Sequence, residues 1–160
     1  MTNSFTLTWT LDAPPAEVFR AWTDPAHLGW FYNPEQPIPD DPIEVDLRIG
    51  GVWRQRMVLD EQTAYDTGGI YREIVADEKL VFSWGAEGGW PELDPERLDD
   101  SPLVTVALAH DGPRTELTLV VELPATMSPE TMPQGWFGHI QAGWRETVDR
   151  LSRSLARAVA

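Results

Sequence analysis

The last quarter of the sequence, from about residue 133 to residue 158, constrains the fold more than any other stretch. Apolar residues fall at Phe137, Ile140, Trp144, Val148, Leu151 and Leu155, and a spacing of three and four draws one stripe down an α-helix. Pro133 suits the first turn, where its missing N–H has no intrahelical partner to lose. Arg145, Glu146, Asp149, Arg150, Arg153 and Arg157 fall on the far side. Glu146–Arg150 and Asp149–Arg153 are acid-before-base pairs four apart, each worth roughly 0.2–0.5 kcal/mol. About 25 residues at a rise of 1.5 Å make a rod of about 37 Å, long enough to cross a small domain. Such a helix, apolar on one side only, needs a broad partner surface.

The preceding sequence supplies strands. Residues 4–10 alternate Phe5, Leu7 and Trp9 with polar neighbours, the period of a half-buried strand. Asp12 to Glu17 reads as a helix entry, with Asp12 or Ala13 near the cap and Pro14 and Pro15 in the first turn. That helix carries Val18, Phe19 and Trp22 and stops before Asp24-Pro25, because a residue before proline avoids helical backbone. A second short helix over 25–32 holds Leu28, Trp30 and Phe31, and the proline-rich 33–42 is a loop. Residues 43–49 and 52–59 form a hairpin around Gly50-Gly51, 67–75 and 79–84 a second, and 103–109 and 115–123 a third. The connection over 85–102 is too long to be a simple turn. The expected architecture is α+β: a seven-stranded antiparallel sheet, two short helices, and the long helix against one face. A sheet of that size twists and curls, and a straight rod laid in it leaves a cavity.

Composition narrows the partners. The chain has 160 residues, which suits one domain over 1–160. It contains no cysteine, so disulfides, thiolate metal sites and cysteine nucleophiles are excluded. A formal net charge of −14 argues against nucleic acid, whose phosphates need cations, and against anionic membrane surfaces. The N-terminus lacks a signal region and no run reaches membrane-spanning length, so the expected location is the cytoplasm. Eight tryptophans are many for this length; such rings line cores or the walls of apolar pockets.

Five segments occur in an order and spacing that resemble a known family: DAPPAEVFRAWTDPAHL at 12–28, VDLRIGGVW at 45–53, YREI at 71–74, LVFSW at 80–84, and Gly143-Trp144. Together they resemble the START-like (SRPBCC) superfamily and, within it, proteins related to the activator of the ninety-kilodalton heat-shock-protein ATPase. The resemblance runs from Phe5 to Leu155. It implies the helix-grip fold, a curved sheet gripping the long helix over a deep apolar pocket, and a link to stress response. Relatives include lipid carriers, hormone sensors, polyketide cyclases, antibiotic-resistance proteins and co-chaperones, so the fold does not fix one activity. The co-chaperone relative has a further domain that these 160 residues do not contain.

Strand alternation selects the cavity wall. Arg54 and Arg56 mark the wet face of 52–59, which turns Trp53, Gln55 and Met57 inward. The same alternation puts Tyr71 and Glu73 on one face of the next strand, and Leu80, Phe82 and Trp84 together on the one after. The helix offers Trp136 or Phe137, Ile140 and Trp144, with Gly143 allowing a close approach to the sheet. The candidate ligand-binding set is therefore Trp53, Gln55, Met57, Tyr71, Glu73, Trp84, Phe137, Ile140 and Trp144. Trp90, within Gly88-Gly89-Trp90-Pro91, joins it as the cap of a lid. An apolar wall with few polar groups is the pattern of a small-molecule site.

Glu73 is the weak catalytic candidate, since a carboxyl buried beside tryptophans would hold its proton and act as acid or base. The competing reading makes it a structural carboxylate paired with an arginine. His27, His110 and His139 lie on three separate elements without partners at ligand spacing, so no metal site is expected. Asp40, Asp41, Glu44 and Asp46 lack the pattern of a calcium loop. Nothing calls for a cofactor. The expected function is non-catalytic binding of a hydrophobic or aromatic small molecule between sheet and helix. The alternatives are a polyketide cyclase or dehydratase, with Glu73, Tyr71 or His139 as acid or base, and a co-chaperone-like module that meets a chaperone or a second copy of the chain.

Overall fold

Three antiparallel hairpins and one N-terminal strand make a single seven-stranded sheet in the order β1-β7-β6-β5-β4-β3-β2. The computed structural model describes residues 4–32, 35, 38–40, 42–58, 60, 62–87, 96–127 and 135–159. The strands are β1 (Ser4–Leu11), β2 (Glu44–Val45), β3 (Val52–Val58), β4 (Ala64–Val75), β5 (Lys79–Glu87), β6 (Leu103–Asp111) and β7 (Arg114–Glu122). Helix α1 spans Pro15–Thr23, a 3-10 helix follows over Pro25–Phe31, and α2 spans Trp136–Val159. The sheet is curved and open, and the helices gather on its concave side in the helix-grip arrangement. The expected helix start at Pro133 lies outside the described residues.

Register explains the core. Because side chains alternate with period two, residues paired across neighbouring strands share a face. One row runs Phe5, Val121, Val104, Phe82, Tyr71; the next runs Leu7, Leu119, Val106, Leu80, Ile74. Nearly all ten are buried in one cluster, with Ile74 packed at its margin. Against these rows α2 lays the expected stripe: Ile140, Trp144, Val148 and Leu151 are buried, while Phe137 and Leu155 pack at the ends. Each such side chain contributes roughly 1.5–3 kcal/mol on burial. The helix is pinned at its polar flank too, where the Trp9 indole N–H donates to Asp149 Oδ1 at 2.8 Å.

Four local expectations are corrected. The strand expected over 43–49 is only two residues long, because the backbone turns at once: Arg48 N–H bonds Asp46 O and Gly51 N–H bonds Arg48 O. That turn leaves Leu47 and Ile49 exposed and uses positive φ at Gly50, +85°, which favours glycine. The cap of α1 is Pro14, with no side-chain hydrogen bond; Asp12 is held instead by Arg114 at 3.2 Å. Gly143 faces open space and brings nothing closer to the sheet. Arg150, placed on the outer side of the helix by its sequence position, folds back. Its Nε donates to Trp30 O at 3.1 Å and its Nη2 to Phe31 O at 3.0 Å.

Candidate functional site

The concave face is partly filled by an element that periodicity alone could not place. The Pro25–Phe31 helix starts on Asp24, whose side chain accepts from Ala26 N–H at 2.9 Å. It buries Leu28, Trp30 and Phe31 between sheet and helices. Arg150 closes its C-terminal end by taking two carbonyls that the helix leaves without internal donors. The result is a continuous aromatic layer. Phe31 meets Trp53 of β3 at 4.9 Å between ring centroids and Trp144 of α2 at 6.2 Å. Trp53 meets Phe82 at 5.5 Å, Trp22 of α1 meets Trp30 at 4.9 Å, and Trp84 meets Trp144 at 5.1 Å. Nearly all are edge-to-face, the arrangement the ring quadrupole favours. Gly69 sits in register between Trp53 and Trp84; a Cβ there would come within 2.7 Å of the Phe82 ring.

The buried polar groups of this layer divide into two kinds. Gln55, 0% exposed, accepts from Trp53 Nε1 at 3.1 Å and donates to Leu28 O at 3.3 Å. Its amide thus ties the 3-10 helix to the sheet. Trp30 Nε1 donates to Ala21 O at 2.9 Å. By contrast Trp22 Nε1, the Tyr71 hydroxyl and Trp144 Nε1 are buried with no hydrogen-bond partner among the described residues, at residue exposures of 2%, 1% and 4%. Most buried donors find a partner, and an orphan costs about 1–3 kcal/mol. Burial, reinforced by the nearby charge of Asp46, pushes the Tyr71 phenol well above its ordinary pKa. The hydroxyl is therefore a neutral donor throughout the physiological range.

Of the residues expected in the wall, Trp53, Gln55, Met57 and Tyr71 are buried in the sheet, and Ile140 and Trp144 are buried on α2. Trp84 is half-buried against Trp144. Phe137 goes elsewhere, packing on Phe5 of β1 at 5.8 Å. Glu73 is a correction. A register shift between Tyr71 and Glu73 inserts Arg72 as an extra residue, and a bulge of one residue reverses the alternation beyond it. Ile74 then takes the inward place, while Glu73 is 47% exposed and pairs with Lys79 at 2.6 Å. Glu73 is a structural carboxylate, with lysine rather than arginine as its partner, and it contributes nothing to the wall. His139 is exposed on α2. Trp90 and the lid around it lie outside the described residues. No group of histidine and carboxylate side chains among the described residues could hold a metal ion. No helix there is long and apolar enough to cross a membrane.

Sequence reasoning did not single out Trp22 among the candidate residues. Its inward position was legible from the Val18–Trp22 spacing, but nothing in the sequence tells an indole with a partner from one without.

The family model described as activator of Hsp90 ATPase homolog 1-like protein matches residues 12–156. No curated protein matches the chain. Among solved structures, a protein of Rhizobium loti superposes with a TM-score of 0.71 at 22% identity, covering 97% of this chain and 98% of that one. DynU16, a protein of the dynemicin biosynthetic locus, gives 0.68 at 20% identity; 98% of this chain is covered but only 48% of that one. An HSP90 activator from Plasmodium falciparum gives 0.61 at 24% identity, covering 88% and 86%. At these identities the likenesses establish the fold alone.

Proposed function

The chain belongs to the activator of Hsp90 ATPase homolog 1-like family, and from that premise we propose that it binds a hydrophobic or aromatic small molecule on the concave side of the sheet, without catalysing a reaction. The observation that carries this reading is the set of three buried donors without acceptors among the described residues, Trp22 Nε1, Tyr71 Oη and Trp144 Nε1, in a largely apolar interior. A few convergent polar groups in an apolar wall are how such sites orient a ligand. DynU16, from a biosynthetic locus, has the same fold. For the cyclase or dehydratase alternative, Glu73 faces solvent in an ion pair and His139 is exposed, which leaves only Tyr71 of its three acid–base candidates in the interior.

Burying about 300 Å² of apolar ligand surface at about 25 cal/mol per Å² gives roughly 7 kcal/mol before the costs of association. Even with no cost of association, about 7 kcal/mol corresponds to a Kd of about 10 μM, so tighter binding of a flat aromatic molecule needs hydrogen bonds to the buried donors as well. Titration with flavonoids, polyketide fragments and fatty acids should quench tryptophan fluorescence saturably, and Met57→Trp should abolish the effect by filling space beside Trp53. The absence of saturable quenching across the whole panel would refute the reading.

A different observation favours a co-chaperone-like module. Leu47 and Ile49 are exposed on the turn that follows the acids Glu44 and Asp46, and a protein with this fold is an HSP90 activator. Its test is the ATPase rate of that chaperone with and without the protein. Stimulation lost in Ile49→Asp would support this reading, and no stimulation would remove it.

A further inference from the structure

We infer that the ligand is a neutral aromatic molecule bearing carbonyl-type acceptor oxygens, received by the Tyr71 hydroxyl and the indole N–H groups of Trp22 and Trp144. This rests on the binding reading above and specifies its chemistry. The argument begins with what these groups can do. An indole N–H only donates, and a phenol that keeps its proton can donate to a ligand oxygen. All three are nine-tenths buried or more and have no partner among the described residues. Tyr71 and Trp22 both flank Phe82, the first by strand register and the second at 6.5 Å between ring centroids. Trp144 lies across the same layer, joined to it through Phe31. A ligand that supplies acceptors satisfies them; a bare hydrocarbon leaves them as they are.

Charge excludes the other common classes of apolar ligand. Among the described residues the buried polar side chains are Thr23, Gln55, Thr67, Ser83, Ser101 and Thr115, none of them charged. Arg150, whose guanidinium reaches inward, already holds the carbonyls of Trp30 and Phe31. In sequence, segments 88–95 and 128–134 contain Glu92, Asp94 and Glu130 but no lysine, arginine or histidine. A fatty acid or an acyl phosphate would bring an anion with no counter-charge, and an uncompensated buried charge is strongly unfavourable. A cationic amphiphile would meet three donors and, among the described residues, no buried anion, since the Asp46 carboxylate near Tyr71 is exposed.

Four tricyclic probes test this by fluorescence titration: xanthone, which has a ketone; xanthene, which lacks it; xanthone-2-carboxylate; and N-methylacridinium. Xanthone should bind saturably, with the other three at least about tenfold weaker, a ratio equivalent to about 1.4 kcal/mol. Tyr71→Phe should weaken xanthone about five- to tenfold, leave xanthene unchanged, and leave the melting point of the ligand-free protein the same or higher. Equal affinity for xanthone and xanthene, or tighter binding of either ion, would overturn the inference while the binding reading stands. So would binding of a fatty acid by a protein that ignores all four probes. A fall in the melting point of ligand-free Tyr71→Phe would assign the hydroxyl to a buried water and overturn it likewise. If no apolar compound binds at all, the inference and the binding reading fall together.

Discussion

Replacing Arg150 with methionine removes a guanidinium while keeping most of the apolar stem, and the structure sets the size of the effect. Arg150 Nε and Nη2 donate to Trp30 O at 3.1 Å and Phe31 O at 3.0 Å, with a longer contact to Thr147 Oγ1 at 3.4 Å. Net contributions from hydrogen bonds to charged groups are about 1.5–3 kcal/mol each. Here the guanidinium is half-buried, and its burial lowers its pKa, which shows that desolvation offsets part of the gain. The third contact is too long to count. A loss of about 2–3 kcal/mol is therefore expected. For a chain of this length each kcal/mol moves the melting point by about 2–4 °C, so Arg150→Met should melt about 5–10 °C lower. Urea denaturation followed by near-ultraviolet circular dichroism measures the loss and reports the tryptophan environment together. Arg150→Lys should recover less than half, because one ammonium cannot reproduce a planar fork across two carbonyls. A methionine variant with the wild-type urea midpoint would refute the claim that this side chain locks the aromatic 3-10 helix to α2.

Two further outcomes follow from the same structure. Glu73→Gln should change stability by under about 0.5 kcal/mol and leave ligand titrations untouched, since exposed ion pairs contribute little; a large loss of ligand affinity would return Glu73 to the site. Burial raises the pKa of Tyr65 and of Tyr71 above the ordinary phenol value of about 10, so both phenols stay protonated in the native state when the unfolded chain begins to ionise. Their contribution is whole below pH 10 and declines as the pH climbs above it, by about 1.4 kcal/mol per pH unit for each proton retained. Alkaline denaturation of Tyr71→Phe should show a shallower slope than wild type, and identical slopes would contradict the burial of that hydroxyl.

Legibility in the sequence followed the strength of each periodic signal. The α2 stripe repeats over five turns, and every expected residue from Ile140 to Leu151 is buried. The face of β3 was fixed because Arg54 and Arg56 cannot both point into a core. The same reasoning had no purchase on 25–31, too short for a period to emerge, so the element that partly fills the concave face could be named but not placed. The reach of Arg150 was hidden for another reason: a long stem lets a guanidinium on the helix flank turn inward. Register irregularities carry no compositional mark, so Glu73 was put on the wrong face.

That irregularity decides what chemistry the interior can hold, and it yields a test of the fold itself. Tyr71 pairs with Phe82, Glu73 with Val81 and Ile74 with Leu80, so Arg72 is the residue without an opposite number. Had the alternation run on unbroken, a carboxylate would occupy the place beside Leu80 that Ile74 fills, at a cost of several kcal/mol for a buried ion without a partner. The bulge puts that charge outside beside Lys79, and among the described residues no charged side chain is buried. If Arg72 is an insertion in this sense, deleting it should regularise the ladder without turning any side chain over. The variant should fold, losing only the Arg72 Nη1 to Ser83 Oγ bond of 3.0 Å, about 1–2 kcal/mol. Deleting Thr105 from the central strand β6 provides the contrast, because Val106 and Leu108 would then face solvent. With two core side chains turned out, that variant should lose more than about 4 kcal/mol or fail to fold. Equal damage from the two deletions, measured by chemical denaturation, would show that Arg72 belongs to the regular alternation and that the outward position of Glu73 has another cause.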